Sequence, residues 1–226
     1  MAYTSIYNIM SSKDDYEGLL AALSSYTSEY FDTIEQLEDE TVGSITYHVI
    51  SCKIGTAEIR FLTTSNTQSS GVNKLRLYDG ETLVKEQGLG TYSSSNGTFR
   101  AMFITQNATV LSTFNGTALS SCYTLWLLKD TNDKSQIVFF STANQDTTST
   151  ICSIHEDGGS TTYDFYFDSN TGGEIVATPM VMLQGVCKNA YFVNVRPFYT
   201  VTGPFELTVD GDVYFTMGHN AVLLKS

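Results

Sequence analysis

The strongest constraint on this chain is a string of short strand signals that starts at Val42 and recurs to the C-terminal end. Ile45, Tyr47 and Val49 alternate with Thr46 and His48, the period-two pattern of an extended segment with one apolar side. Glu58 to Leu62 reads as a second strand. Lys74 to Tyr78 runs into Asp79-Gly80, a hairpin signal because Asp and Gly tolerate positive φ, and Thr82 to Val84 returns. Phe99 to Thr105, Ala108 to Phe114, Tyr123 to Leu128 and Ile137 to Ser141 follow at a spacing of roughly 8–14 residues, as in a sandwich or barrel. Asp130 to Lys134 reads as a polar loop between the last two. Thr162 to Asp168 alternates sharply, with Tyr163, Phe165 and Phe167 on one face and Asp164, Tyr166 and Asp168 on the other. Asp157-Gly158-Gly159 and the stretch from Ser169 to Gly173 flank it as turns or loops.

Only one segment reads as helix. Ser12 is a capping residue, Asp14 and Asp15 suit the positive end of a helix dipole, and Tyr16, Leu19, Leu20, Leu23, Tyr30 and Phe31 follow helical spacing. The spacing predicts a helix over about 13–31 that ends in the acidic segment Glu35 to Glu40. All three prolines, Pro179, Pro197 and Pro204, lie after residue 178. This change of style predicts three regions: an N-terminal helical segment (1–41), a β-rich body (42–178) and a C-terminal β unit (179–226). Three Ser/Thr/Asn-rich stretches, 63–73, 91–98 and 142–150, read as exposed loops.

Composition narrows the function classes. Charged residues are 16% of the chain, below the usual ~25%, and Ser, Thr, Asn and Gly fill the gap. The net charge is −12, so there is no basic footprint for nucleic acid or for an anionic lipid surface. No run of 18 apolar residues exists to span a membrane, and Met1 to Lys13 lacks the pattern of a secretory signal, so synthesis in a cytosol is expected. Cys52, Cys122, Cys152 and Cys187 are widely spaced, and free, buried thiols are expected.

No motif predicts a reaction. His48, His155 and His219 lack partners at metal-motif spacing; Cys152 and His155, followed by Glu156 and Asp157, come nearest to a ligand cluster and read more simply as a loop. Asp210-Gly211 lies between apolar runs and reads as a hairpin turn rather than a calcium loop. There is no Gly-x-Ser-x-Gly elbow, and Gly88-Leu89-Gly90 is too short for a phosphate loop. Neither a cofactor nor a metal is expected, and the chain does not read as an enzyme. Among 14 Tyr and 13 Phe, Tyr166 stands out because it shares a face with Asp164 and Asp168, opposite three aromatics; these three residues are the candidate surface contact.

The two ends of the chain carry a resemblance. Gly203-Pro204-Phe205, then Val209-Asp210-Gly211-Asp212-Val213-Tyr214, then Gly218 and Ala221 to Leu224 form a compact C-terminal pattern. Near the other end, Tyr7-Asn8-Ile9-Met10 precedes a segment closing in Ser28-Glu29-Tyr30-Phe31. Both resemble uncharacterised virion proteins of tailed bacteriophages and prophages of gut bacteria. The resemblance covers about 70 residues at the two ends, and it carries over no catalytic residue. It implies a structural component of the particle, on the tail or head surface, that partners other virion proteins. Low charge with many Tyr, Phe, Ser and Thr further suits broad subunit contacts, so a homo-oligomer is expected, with loops available for the host surface and its glycans. The expected fold is mainly β: a β-sandwich or jelly-roll-like body with one N-terminal helix and a small C-terminal β unit. A carbohydrate-binding β-sandwich module is the alternative. A glycan-degrading tail enzyme ranks below both, since it calls for a longer chain or β-helix rungs and no such period is present.

Overall fold

The computed structural model describes residues 3–64, 72–89, 98–113, 121–143, 148–166, 177–182, 185–193, 204–217 and 222–225. The chain opens with β1 (Thr4–Tyr7) and α1 (Tyr16–Tyr26), followed by β2 (Thr33–Val42), β3 (Ile45–Ile54), β4 (Ala57–Thr64), β5 (Lys74–Asp79) and β6 (Thr82–Gly88). Then come β7 (Ala101–Ile104), β8 (Ala108–Ser112), β9 (Ser121–Lys129), β10 (Ser135–Ala143), β11 (Thr148–His155) and β12 (Ser160–Tyr166). The C-terminal strands are β13 (Ala177–Met182), β14 (Gly185–Val193), β15 (Pro204–Val209), β16 (Asp212–Met217) and β17 (Val222–Lys225). The fold is mainly β with one helix, as the sequence predicts.

The described strands form three antiparallel sheets. β2 to β6 pair in chain order as an N-terminal sheet of five strands; β1 and β7 to β12 make a sheet of seven; and the C-terminal sheet runs β13-β14-β17-β16-β15. The seven-stranded sheet is the middle layer of a stack. On one side Met102, Leu111, Leu125, Leu127, Ile137, Phe139, Cys152 and Ile154 pack with Ile50, Ile59, Phe61, Leu75 and Leu77 of the N-terminal sheet. On the other, Ala101, Phe103, Val110, Trp126, Leu128, Val138, Phe140 and Ile151 pack with Met180, Cys187, Ala190, Phe215 and Leu224 of the C-terminal sheet. A strand buried on both faces has no polar side, and Leu125-Trp126-Leu127-Leu128 and Ile137-Val138-Phe139-Phe140 are accordingly unbroken apolar runs. Each large side chain buried this way contributes roughly 1.5–3 kcal/mol. Some of the polar groups that enter this interior are bonded: the Trp126 indole N–H donates to Thr124 Oγ1 at 2.9 Å, and Gln136 Nε2 donates to Ser153 Oγ at 2.6 Å, whereas Gln136 Oε1 and Thr109 Oγ1 are buried with no hydrogen-bond partner among the described residues.

The helix is shorter than the spacing predicts, and Asp15 rather than Ser12 caps it. Asp15 Oδ1 accepts from the Gly18 N–H at 2.9 Å, while Ser12 turns its hydroxyl to Asp14. At the other end the Thr27 N–H and hydroxyl both donate to the Leu23 carbonyl, which stops the helix where Ser and Thr crowd the sequence. Leu19, Ala22 and Leu23 are buried, Leu20 is half-buried, and Tyr30 and Phe31 join the same core from beyond the helix. The acidic segment is a strand: Glu35 to Glu40 lies in β2, at the edge of its sheet, where charges discourage pairing with a further chain. The residues read as a loop at 142–150 partly belong to β10 and β11, and Cys152 and His155 lie on β11 rather than in a loop. Pro179 and Pro204 sit on β13 and β15, the two edge strands of their sheet, where a missing N–H is tolerated. Asp210 and Gly211 form the expected hairpin turn, with φ of 50° and 87°. His219 and the turn from Ser169 to Gly173 lie outside the described residues.

The N-terminal and middle sheets are also clasped at their turns. The Thr56 N–H donates to the Glu156 carbonyl at 2.8 Å, the Gly80 N–H donates to the Thr56 carbonyl at 2.7 Å, and the Gly159 N–H donates to Asp79 Oδ2 at 2.9 Å. Gly55 makes this approach feasible: its φ is +54°, and a Cβ there would stand 2.0 Å from the Glu156 carbonyl oxygen. Gly43 has a similar φ of +65° but open space around it, so it isolates the backbone strain. Gly55→Ala is therefore expected to destabilise by at least about 2 kcal/mol, and to lower Tm by about 4 °C or more. Gly43→Ala should cost about 1 kcal/mol. Equal losses in the two variants, measured by thermal melts, would show that the clasp contributes nothing.

Candidate functional site

The outer face of the N-terminal sheet holds the most developed polar site among the described residues. Alternation in β3, β4 and β5 sends Ile50, Ile59, Phe61, Leu75 and Leu77 to the core and turns their neighbours outward. Register then lines up Lys53, Glu58 and Tyr78 in one row and Ser51, Arg60 and Arg76 in the next. A small apolar cluster of Tyr47, Val49 and Leu62, with Leu37 and Ile45 against it, anchors the far part of this face.

Every arginine on the face is clamped by acid. Arg60 donates from Nε to Glu58 Oε1 at 2.7 Å and from Nη2 to Glu58 Oε2 at 3.0 Å, a fork-to-fork pair. Its guanidinium carbon stands 4.5 Å from the Tyr78 ring centroid. Arg76 Nη1 donates to both oxygens of Glu40, and its Nε donates to Glu86 Oε2 at 2.6 Å. Lys74 Nζ donates to Glu86 Oε1 at 2.9 Å and lies over the Tyr47 ring. Arg60 and Arg76 face each other directly across β4 and β5, an arrangement that like charges disfavour unless each carries its own counter-ion. Lys53, Arg60, Lys74 and Arg76 thus place four of the chain's twelve cations here, balanced by Glu35, Glu40, Glu58 and Glu86. With Glu81 added at the turn end the face is close to neutral on a chain of net charge −12.

At the turn end of this face lies an open groove of about 630 Å³, lined by Lys53, Thr56, Glu58, Arg60, Tyr78 and Glu81 among others. Its floor is rigid. Glu58 is buried and also accepts from Ser51 Oγ at 2.7 Å, and the turns at Gly55 and Gly80 belong to the clasp with the middle sheet. Burial alone would raise the Glu58 carboxyl, but hydrogen bonds from Arg60 and Ser51 and the Arg60 charge outweigh it and hold Glu58 below its ordinary value. A second hollow, under the helix between Met10, Leu19, Phe61 and Phe99, is no larger than about 10 Å³ and is a packing gap.

Asp164 and Tyr166, from the candidate contact, lie on β12 opposite Thr150 and Thr148, at the edge of the middle sheet. Asp168 lies outside the described residues, as do the side chains of Asp164 and Tyr166. None of the three lines the groove among the described residues. The groove residues are nonetheless legible: in Glu58-Ile59-Arg60 and Lys74-Leu75-Arg76-Leu77-Tyr78 the charged residues and the tyrosine occupy alternate positions, so they share the face opposite the apolar ones.

The buried Asp130, His155 and Cys187 resemble a nucleophilic triad in type only. The Asp157 N–H donates to His155 Nδ1 at 3.1 Å, so the ring proton sits on Nε2, which faces Asp130 Oδ2 at a long 3.5 Å. Burial pushes the Cys187 thiol up to about 12, and the Asp130 charge adds to the rise, the reverse of what an attacking thiolate needs. Burial likewise raises Cys52 and Cys152, and both are buried free thiols. Asp130 instead shapes the β9–β10 turn by accepting from the N–H groups of Asn132 and Lys134. His48 bonds to Asp39 through Nδ1 at 2.9 Å and packs on Tyr16. Among the described residues no three His, Cys, Asp or Glu side chains gather as a metal site.

Compared with known families and with curated proteins, the chain matches none.

The lowered Glu58 carboxyl fixes a sign. Its stabilisation is complete above the ordinary carboxylate range and is lost as pH falls through the lowered folded value. Glu58→Gln should therefore melt below the parent at pH 7, and the gap should narrow as pH falls below the ordinary carboxylate range. A gap of unchanged size at pH 3 would show that the carboxylate charge is not what Glu58 contributes.

Proposed function

We propose that this chain is a structural component of a bacteriophage virion, on the tail or head surface, that assembles through its β surfaces with further copies of itself and with other virion proteins. The resemblance of the two chain ends supports this reading. The observation that carries it is the outer face of the C-terminal sheet. Met180 and Cys187 point into the core, so their neighbours Val181 and Val186, which are cross-strand partners, point out; they are 63% and 38% exposed. Tyr191 and Tyr214 meet edge to face on the same side, at 5.6 Å. A face of exposed valines beside this tyrosine pair, with the charge of Lys225 next to Tyr214 already neutralised by Asp212, suits contact between subunits better than contact with water. The perturbed groups elsewhere are accounted for by burial and ion pairs that hold the fold, which fits a non-catalytic protein.

A different observation favours the second reading, a carbohydrate-binding β-sandwich module: the fixed polar groove beside Tyr78.

Val181→Asp with Val186→Lys should leave the monomer folded, since both side chains are exposed and the opposed charges are of opposite sign, but should lower the copy number of this chain in purified particles. Quantitative mass spectrometry of particles grown with each version checks it. Incorporation at the parent level would remove this face from the assembly, and absence of the parent chain from particles would remove the virion reading itself.

A further inference from the structure

We infer that the groove on the N-terminal sheet is a binding subsite for an uncharged saccharide, recognised through its hydroxyls by Arg60, Lys53 and Glu81 and through its C–H face by Tyr78. The inference rests on the second reading above and holds whether or not the chain enters a particle.

The first argument is preorganisation. Glu58 uses both oxygens to grip Nε and Nη2 of Arg60, which leaves the Nη1 edge of the guanidinium as the part addressed to a ligand; among the described residues it has no hydrogen-bond partner. A planar donor held by a buried carboxylate loses little conformational freedom on binding, the condition under which a polar contact adds affinity. The groove wall also rests on the clasp: Thr56 and Gly80 are tied to each other, Thr56 is tied to the middle sheet through Glu156, and Thr56 Oγ1 donates to Asp79 at 3.2 Å.

The second argument is chemical balance. Lys53 and Arg60 supply donors, Glu81 supplies an acceptor, the Thr56 hydroxyl, its proton given to Asp79, can accept, and Tyr78 supplies the part of its ring that the Arg60 guanidinium leaves uncovered. A sugar hydroxyl donates and accepts at once, and a pyranose presents C–H groups between its hydroxyls, so a wall that mixes donors, acceptors and one ring matches it. The volume of about 630 Å³ falls within the usual range for small-ligand sites.

The third argument is charge. An anionic ligand would approach a chain of net charge −12 and find its two groove cations opposed by Glu58 and Glu81. A cation would be drawn by the distant field but would find the groove acid Glu58 already taken by Arg60 and Glu81 opposed by Lys53, so neither sign of charge is favoured by both field and local pairing, and an uncharged polyol is opposed by neither.

The test is binding of the full-length chain to an array of neutral hexose and N-acetylhexosamine oligosaccharides, printed beside uronate- and sialate-containing oligosaccharides of equal length. Any neutral hit is then titrated in solution while backbone amide shifts are followed. The expected result is binding to at least one neutral oligosaccharide, retained between 50 and 500 mM salt as an uncharged contact should be (about these values, chosen to span several-fold in screening length), with shifts at Thr56, Arg60, Tyr78 and Gly80. Arg60→Ala should weaken it at least about tenfold, the scale of one lost hydrogen bond from a charged donor. Because Arg60→Ala strands Glu58, Lys53→Ala and Tyr78→Leu, which removes the ring but keeps an apolar side chain, serve as milder variants; each should weaken binding several-fold while the chain stays folded by its melting transition. Three results would overturn the inference: no binding to any neutral oligosaccharide, binding to acidic oligosaccharides alone that salt removes, or neutral binding that all three variants leave intact. The last would place the saccharide elsewhere and leave the module reading standing, whereas the first would remove both.

Discussion

Everything in this structure depends on one sheet being dry on both sides. The middle sheet supplies alternate residues of β9 and β10 to two different cores, with Trp126, Phe139 and Phe140 fully buried. Such a sheet cannot stand alone in water, since either bare face would expose a large apolar area. The N-terminal and C-terminal sheets are therefore the covers that make the middle sheet possible. Each cover keeps one face for solvent, and these two outer faces differ. One carries a neutralised charge network and a groove; the other carries valines and a tyrosine pair.

Division of labour between the covers follows from the same packing. The groove needs a rigid floor, and the clasp through Gly55, Glu156, Asp79 and Gly159 gives it one by tying the outer sheet's turns to the middle layer. On the other side the Asp130–Lys134 turn reaches the C-terminal sheet: the Thr131 N–H donates to the Val186 carbonyl at 2.9 Å, and Lys188 pairs with Asp133. Both covers are thus fixed at the turns as well as by their cores. Stability and surface chemistry are coupled at the same residues: loosening Gly55 or Asp130 would disturb an outer face along with the stack.

Much of the fold was legible in the sequence, and the misses have physical causes. Strands with one wet face, such as Ile45 to Ile54 and Lys74 to Asp79, alternate and were found; the Asp210-Gly211 turn was found because both residues take positive φ. The acidic strand β2 was missed because its charges serve an edge and its apolar residues do not alternate: Ile34 packs on the inner core and Leu37, three residues on, against the outer cluster. β1 was missed because four residues, mostly exposed, pair only with β7. β11 was missed because Thr and Ser at 148–150 read as loop, although its Ile151-Cys152 and Ile154 divide between the two cores. The continuous runs at 125–128 and 137–140 were read as ordinary strands, yet their lack of alternation was the sign of a middle layer. For the site, the outward row of Glu58, Arg60, Arg76 and Tyr78 was present in the alternation, but its meaning depends on register between strands, which no single segment displays.

Amide hydrogen exchange followed residue by residue tests the central claim most directly. If the middle sheet is the doubly covered layer, the amides of Leu125 to Leu128 and Ile137 to Phe140 should exchange slowest in the molecule, at the rate of global unfolding, and those of the outer sheets should open first. Protection in β9 and β10 equal to or below that in β3 and β4 would contradict a three-layer stack built on the middle sheet.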